Sequence, residues 1–270
     1  MSRFALFGPG YVGARLAEAV GARGWTVARI GRAEIDDAGS ALATATHILS
    51  TVPPDEHGDP VLRRYRPALA RAPRWIGYLS STGVYGDTGG AWVDESAPVG
   101  HGRRSARAVA DREWLSLGAH VFRLPGIYGP GRSQLDRIVS GAAYRVELPG
   151  QVFSRIHVDD IVAAVIAGFG APPGAYNIAD DCPAPQDEVT AYAARLLGAP
   201  MPPVVPPENL PPTARAFYAE NRRIANGRAK RLLGWQPVYP SYREGLRALS
   251  ATISPASVSA PPSAAVTDQR

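Results

Sequence analysis

The sequence predicts an α/β protein built on a parallel sheet covered on both faces. Three observations carry that reading. Short apolar strands alternate with longer helical stretches, the strands are apolar without alternating, and a glycine-rich turn follows the first of them. Continuous apolar strands mark a sheet buried on both sides, and strand–helix alternation marks parallel crossovers. A length of 270 residues allows one large core or two domains, and 45% hydrophobic with 20% charged residues is a globular composition.

Phe4–Phe7 is the first strand. Val12, Leu16, Ala19 and Val20 then repeat at helical spacing, and Gly24 closes that helix. Trp25–Ile30 is a second strand. Further strands are predicted at His47–Val52, Trp75–Ser80, His120–Leu124 and Tyr176–Ala179, with helices between them at roughly 60–71, 104–117 and 158–169. Val189, Ala193, Leu196 and Leu197 form one stripe of a helix over 186–197, stopped by Gly198. A last helix begins at Ser241, which has capping-box spacing to Glu244. Residues 199–212 hold seven prolines and read as an extended connector, and residues 251–270, rich in Ala, Ser and Pro, read as a disordered tail. The expected organisation is one domain over 1–250, with a small C-terminal substrate lobe drawn mainly from about 130–173 and 180–250.

Composition narrows the partners. Cys182 is the only cysteine, so no internal disulfide can form, and its neighbours Asp181 and Pro183 offer it no base. The amino-terminal apolar stretch is too short for a signal peptide, and the longest apolar run, Ile161 to Phe169, falls far short of a span of ~20 residues. A cytoplasmic protein with no membrane partner is expected. The net charge of +5 sets 28 arginines and one lysine, Lys230, against 24 acidic residues. The arginines are scattered and not interleaved with aromatics, which reads as the codon usage of a G- and C-rich genome and not as a nucleic-acid surface.

Gly8-Pro9-Gly10-Tyr11-Val12-Gly13 matches G-x-G-x-x-G in its required place, after an apolar strand and opening an amphipathic helix. In such a loop Gly8 permits the tight turn, Gly10 lets a pyrophosphate approach the backbone, and Gly13 lets helix and strand pack closely. Free N–H groups at the helix start then face the phosphates. A Rossmann-type doubly wound sheet binding a nicotinamide dinucleotide is therefore expected. The end of the second strand bears on which one. An acid there bonds the adenosine ribose in NAD-binding units, whereas this chain reads Ile30-Gly31-Arg32. Arg32 suits the 2′-phosphate of NADP; alternatively Arg32 is solvated, Glu34 reaches back to the ribose, and NAD is the cofactor.

Later motifs resemble those of the extended short-chain dehydrogenases/reductases, the NAD(P)-dependent epimerases and dehydratases. They are Ser80-Ser81-Thr82-Gly83-Val84-Tyr85-Gly86, Arg123-Leu124-Pro125-Gly126-Ile127-Tyr128-Gly129-Pro130-Gly131, Arg155-Ile156-His157-Val158-Asp159-Asp160 and Tyr176-Asn177-Ile178-Ala179, in the family's order. The resemblance implies that Ser81 hydrogen-bonds the substrate's reacting oxygen. It places Ser50, Thr51, Val52, Pro125, Gly126 and Ile127 beside the nicotinamide, and Arg155 on a substrate phosphate. The Asp159-Asp160 pair is read as a cap on the following helix, so no metal site is expected.

One departure sets the chain apart. The family's acid is a tyrosine in Y-x-x-x-K, yet no tyrosine lies between Tyr85 and Tyr128, and arginines stand at 103 and 107. Arginine stays protonated and cannot act as a base. The chain therefore resembles an atypical member. Either it is an NADP-dependent oxidoreductase or epimerase acting on an unidentified small molecule, with Tyr85, Tyr128 or His157 handling the proton, or it is an NADP(H)-holding regulator without catalysis. Monomer and homodimer are both compatible with the sequence. The short segment between the second strand and His47 also leaves little room for the family's usual third strand.

Overall fold

The computed structural model describes residues 2–71, 75–102 and 105–252, with the side chain of Thr213 left out. The expected tail lies almost wholly outside the described residues, as does Arg103.

The first half contains β1 (Arg3–Phe7), α1 (Tyr11–Gly21), β2 (Thr26–Ile30), α2 (Gly39–Thr44), β3 (His47–Ser50), α3 (Pro60–Leu69), β4 (Trp75–Ser81), β5 (Trp92–Val93), α4 (Ser105–Ser116) and β6 (His120–Leu124). Then follow β7 (Gly126–Tyr128), α5 (Gln134–Val139), β8 (Arg155–His157), α6 (Val158–Ala167), β9 (Gly174–Asn177), α7 (Gln186–Leu197), α8 (Pro212–Tyr218), β10 (Arg223–Ile224), α9 (Gly227–Leu233) and α10 (Tyr242–Ser250). Six strands form one parallel sheet in the order β2-β1-β3-β4-β6-β9. Two small parallel pairs, β7 with β8 and β10 with β5, stand outside it.

Neighbouring residues of β1 point to opposite faces, and both faces are buried. Phe4 and Leu6 pack with Leu16 and Val20 of α1 and with Ile161 and Val165 of α6. Ala5 and Phe7 join Leu42, Leu62, Leu69, Tyr78 and Trp114 on the other side. Trp114 lies parallel to the Tyr78 ring at 5.4 Å, and its indole N–H donates to Asp59 at 2.8 Å. The other Asp59 oxygen accepts from Val61 N and Leu62 N, so one carboxylate starts α3 and satisfies a core indole.

The chain leaves β1 in one direction for β2 and later returns on its other side as β3. The sheet's topological switch point therefore lies between β1 and β3, where ligands bind beyond the strand ends. Residues 31–46 hold a tight turn at Ile35–Asp37 and then α2, with no strand outside β2. A third cluster, with Tyr128, Leu135, Val189, Ala193, Tyr242, Leu246 and Leu249, unites α5, α7 and α10.

Asp159 and Asp160 do not cap α6: His157 is the cap, its Nδ1 accepting from Asp159 N at 3.2 Å. Asp160 instead accepts from Val238 N (2.6 Å) and Tyr239 N (3.2 Å), tying the segment before α10 to α6. The proline-rich connector is also not wholly extended, since it carries a tight turn at Pro207–Asn209 and its last proline opens α8.

Candidate functional site

The glycine loop is shaped by what side chains would displace. Gly8 sits at φ +81°, and a Cβ there would lie 2.7 Å from Thr51 Oγ1, which itself donates to Gly8 O at 2.5 Å. A Cβ on Gly13 would lie 2.5 Å from that same Gly8 carbonyl, which explains the close helix–strand packing. Gly10 differs: a Cβ there would meet nothing within 4 Å. It is the N-cap of α1, no side chain caps that helix, and the space in front of its N–H groups is open. The loop therefore fits a pyrophosphate.

That space continues into a cavity of about 420 Å³. Gly10, Tyr11, Val12 and Thr51 line it together with Ser81 and with Pro125, Gly126 and Ile127. Gly8, Gly13, Ser50 and Val52 do not line it; the buried Ser50 hydroxyl accepts from Val52 N at 3.3 Å. Arg32 is exposed past the end of β2, with no hydrogen-bond partner among the described residues. Glu34 folds back beside it, accepting from Gly31 N at 2.9 Å. Both residues that could meet the adenosine ribose thus stand at the same strand end.

The far wall comes from segments that no motif marks, Val152–Ser154 and Phe217–Ile224. Arg222 bonds Glu220 (2.9 Å) and Gly86 O (2.5 Å), clamping this wall to the turn that begins at Ser81. Arg107 also lines the cavity, donating to Tyr78 Oη (2.8 Å) and Leu79 O (3.2 Å). Ser81 Oγ accepts from Gly83 N at 3.1 Å, which leaves its own proton available to a ligand.

The two candidate tyrosines are placed differently from Ser81. Tyr85 lines neither this cavity nor the one beside it. Its hydroxyl donates to Asn177 Oδ1 (2.7 Å) and accepts from Arg123 (2.9 Å). Burial pushes its pKa up to about 12, against the opposing charge of Arg123. Tyr128 has a buried hydroxyl with no partner among the described residues, pressed against Gly245 of α10. Burial holds its phenol far above the usual range, and the charges of Asp180 and Asp160 add to this.

A second cavity of about 690 Å³ adjoins the first and shares Gly126, Ile127, Arg132, Phe153, Ser154 and Phe217 with it. Arg155 lines it, 6% exposed, donating to Ala184 O and to Gln186 Oε1. Beneath lies Asp180, 1% exposed, with Oδ1 on Cys182 N at 3.2 Å and Oδ2 unpartnered among the described residues. Burial pushes its pKa up to about 8, partly offset by the charge of Arg155. The folded protein holds this proton where the unfolded chain has lost it. The associated stability is therefore complete below the unfolded value of 3.8 and is lost as pH rises through about 8. Asp180→Asn is expected to flatten the decline of Tm between about pH 5 and about pH 9. An unchanged slope would assign the effect to Asp160, which burial pushes up to about 6.

Among the described residues, no group of three or more His, Cys, Asp or Glu is placed to hold a metal ion, and no helix is long and apolar enough to cross a membrane.

No family model matches the chain. A 3-diazoavenalumate denitrifying reductase from a Streptomyces species is 35% identical over 157 residues, which span 53% of this chain and 52% of the reductase. A conserved protein of unknown function from Silicibacter pomeroyi is 42% identical, with a TM-score of 0.85, covering 93% of this chain and 99% of that one. The human epimerase family protein SDR39U1, solved with NADPH, is 17% identical with a TM-score of 0.74 over 93% of this chain and 100% of its own. MoeE5, solved with UDP-glucose and NAD, is 18% identical with a TM-score of 0.76 over 93% and 98%. The chain belongs to the same family as the Silicibacter pomeroyi protein, and its fold is that of the NAD(P)-dependent epimerases and dehydratases.

Proposed function

We propose that the chain is an NADP-dependent reductase of a small molecule, working without a tyrosine acid. The observation that carries this reading is the open space at Gly10, over an uncapped helix start, running into a cavity that holds Ser81. Gly8, Gly10 and Gly13 shape the cradle, the α1 N–H groups of Tyr11 and Val12 meet the phosphates, and Thr51 and Pro125–Ile127 bound the ring end. Bound there, a reduced nicotinamide supplies a hydride. Ser81 offers its free proton to orient a substrate oxygen or nitrogen. Arg107, standing where the family has lysine, brings a fixed charge to the wall but no exchangeable proton.

Missing acid chemistry restricts the substrate. Reducing a carbonyl creates an oxyanion that needs a proton, whereas an aryl diazonium that gains a hydride becomes the arene and N2, with nothing left to protonate. The name of the Streptomyces relative, a denitrifying reductase of a diazo compound, points to this class. The second reading, an NADP(H)-holding regulator, is favoured by the same missing phenol. Titration with NADPH, followed by its consumption with benzenediazonium, separates the two: tight binding with no consumption favours the regulator.

Cofactor choice rests on Arg32. NADPH is expected to bind more tightly than NADH, with Arg32→Ala removing most of the difference. The lost charge-assisted contact is worth about 1.5–3 kcal/mol, about tenfold or more in Kd. Glu34→Gln is expected to raise NADPH affinity by relieving repulsion of the 2′-phosphate. Equal affinities for the two cofactors in fluorescence titrations of the wild type would assign the strand end to NAD through Glu34.

A further inference from the structure

We infer that the second cavity takes a flat aromatic carboxylate, stacked on its aromatic wall with the anion on Arg155; this rests on the reductase reading above. Six aromatic residues, Tyr128, Tyr144, Phe153, Phe217, Tyr218 and Tyr242, line the cavity. Phe153 and Phe217 stack at 4.4 Å with 10° between planes, and Tyr218 stands edge-on to both at 5.5 and 5.6 Å. Phe217 is 41% exposed, so it keeps ring surface for a further partner. Because Phe153 and Phe217 also line the first cavity, a ring held here reaches the Ser81 chamber.

The polar side of the cavity is largely spent on the protein itself. Ser133 and Asp136 close a capping box on α5, Ser140 Oγ donates to Arg137 O at 3.2 Å, and Ser154 Oγ accepts from Ile224 N at 3.0 Å. Gln186 Oε1 is held by Arg155. A polyol or a sugar ring needs many such groups, and few remain. Among the described residues what remains is the Gln134 amide, the one buried hydroxyl of Tyr128, and guanidinium. Arg155 makes only bonds of 3.2–3.3 Å to carbonyl-type oxygens and has no ion-pair partner among the described residues, although it is 6% exposed. Charge-assisted bonds to a carboxylate are shorter, about 2.7–2.9 Å, and a buried guanidinium without a counter-charge is costly. The Asp180 carboxyl, whose field reaches Arg155, is itself pushed towards its neutral form by burial and makes no ion pair with it. Arg132 and Arg137, exposed on the same cavity, add the same sign and with Arg155 outweigh its carboxylate, Asp136, so that an anion is drawn in.

Calorimetric titration of the NADPH-loaded protein tests this with cinnamate, cinnamyl alcohol, cyclohexanecarboxylate and UDP-glucose. Cinnamate is expected to bind about tenfold or more tightly than cinnamyl alcohol, the factor one charge-assisted bond supplies, and more tightly than cyclohexanecarboxylate. Arg155→Gln is expected to abolish the preference over the alcohol. The wild-type ligand comparison stands even where that variant fails to fold. Cinnamate binding no tighter than the alcohol, or UDP-glucose binding tighter than cinnamate, would overturn the inference. NADPH affinity is read separately, so its loss would count against the reductase reading and not against this one.

Discussion

Asp111→Ala is expected to destabilise the protein by about 3–5 kcal/mol, the usual consequence of removing one partner of a buried ion pair. Asp111 is fully buried and accepts three hydrogen bonds: from Ser80 Oγ at 2.6 Å, Arg123 Nε at 3.1 Å and Arg123 Nη2 at 2.7 Å. The variant leaves the Arg123 guanidinium, 3% exposed, without a counter-charge. For a chain of this size that corresponds to a fall in Tm of roughly 10 °C, read by calorimetry or circular dichroism. A loss under about 1 kcal/mol would place this pair among the weakly coupled surface ion pairs and remove it as an organiser of the site. Asp111→Asn, which keeps the acceptor but loses the charge, should fall between the two.

The same network shows what the sequence made legible and what it did not. Ser80, Tyr85, Arg123 and Asn177 belong to three different motifs, and each was recognisable as a position that matters. Folded, they form one chain of buried bonds with Asp111, from Ser80 through Arg123 and Tyr85 to Asn177. Motif spacing marks such residues but not whether they touch substrate, because a buried structural hydroxyl and a reacting one leave the same trace. Tyr85 therefore reads as a candidate acid in the sequence, while in the fold its hydroxyl is buried between Asn177 and Arg123.

The six strands of the main sheet are legible as short runs bounded by breakers, although the last lies at Gly174–Asn177, two residues before the expected Tyr176–Ala179. β5, β7, β8 and β10, at two or three residues, are too short for any periodicity to register. The far wall of the first cavity was invisible for another reason. Val152–Ser154 and Phe217–Ile224 are some sixty residues apart in the chain, and only the folding of the lobe brings them opposite the glycine loop. Arg155 was legible by its motif, but its lack of a counter-ion is a property of the packed lobe.

Simple aldehydes and ketones are expected to be reduced very slowly by this protein, even with NADPH bound. A well-placed acid typically contributes 10²–10⁴-fold to such a step, and the one phenol on the wall of the first cavity, Tyr11, already donates its proton to Pro130 O at 3.1 Å. Ser81 polarises without protonating, Arg107 is locked in its cationic form by chemistry rather than placement, and Glu220 is paired with Arg222. Arg103→Tyr with Arg107→Lys is expected to raise aldehyde turnover by about 10²-fold or more, followed as NADPH consumption. The gain should appear in kcat, because the added phenol acts on charge that develops only in the transition state. Diazonium reduction by the same double variant should change little, since no oxyanion forms there. Tyr85→Phe is expected to cost stability, about 1–3 kcal/mol for the unsatisfied partners it leaves, while the pH profile of turnover stays in place. A wild-type enzyme that reduces aldehydes briskly, with a pH profile that moves in Tyr85→Phe, would return that phenol to the reaction and take the acid-free mechanism with it.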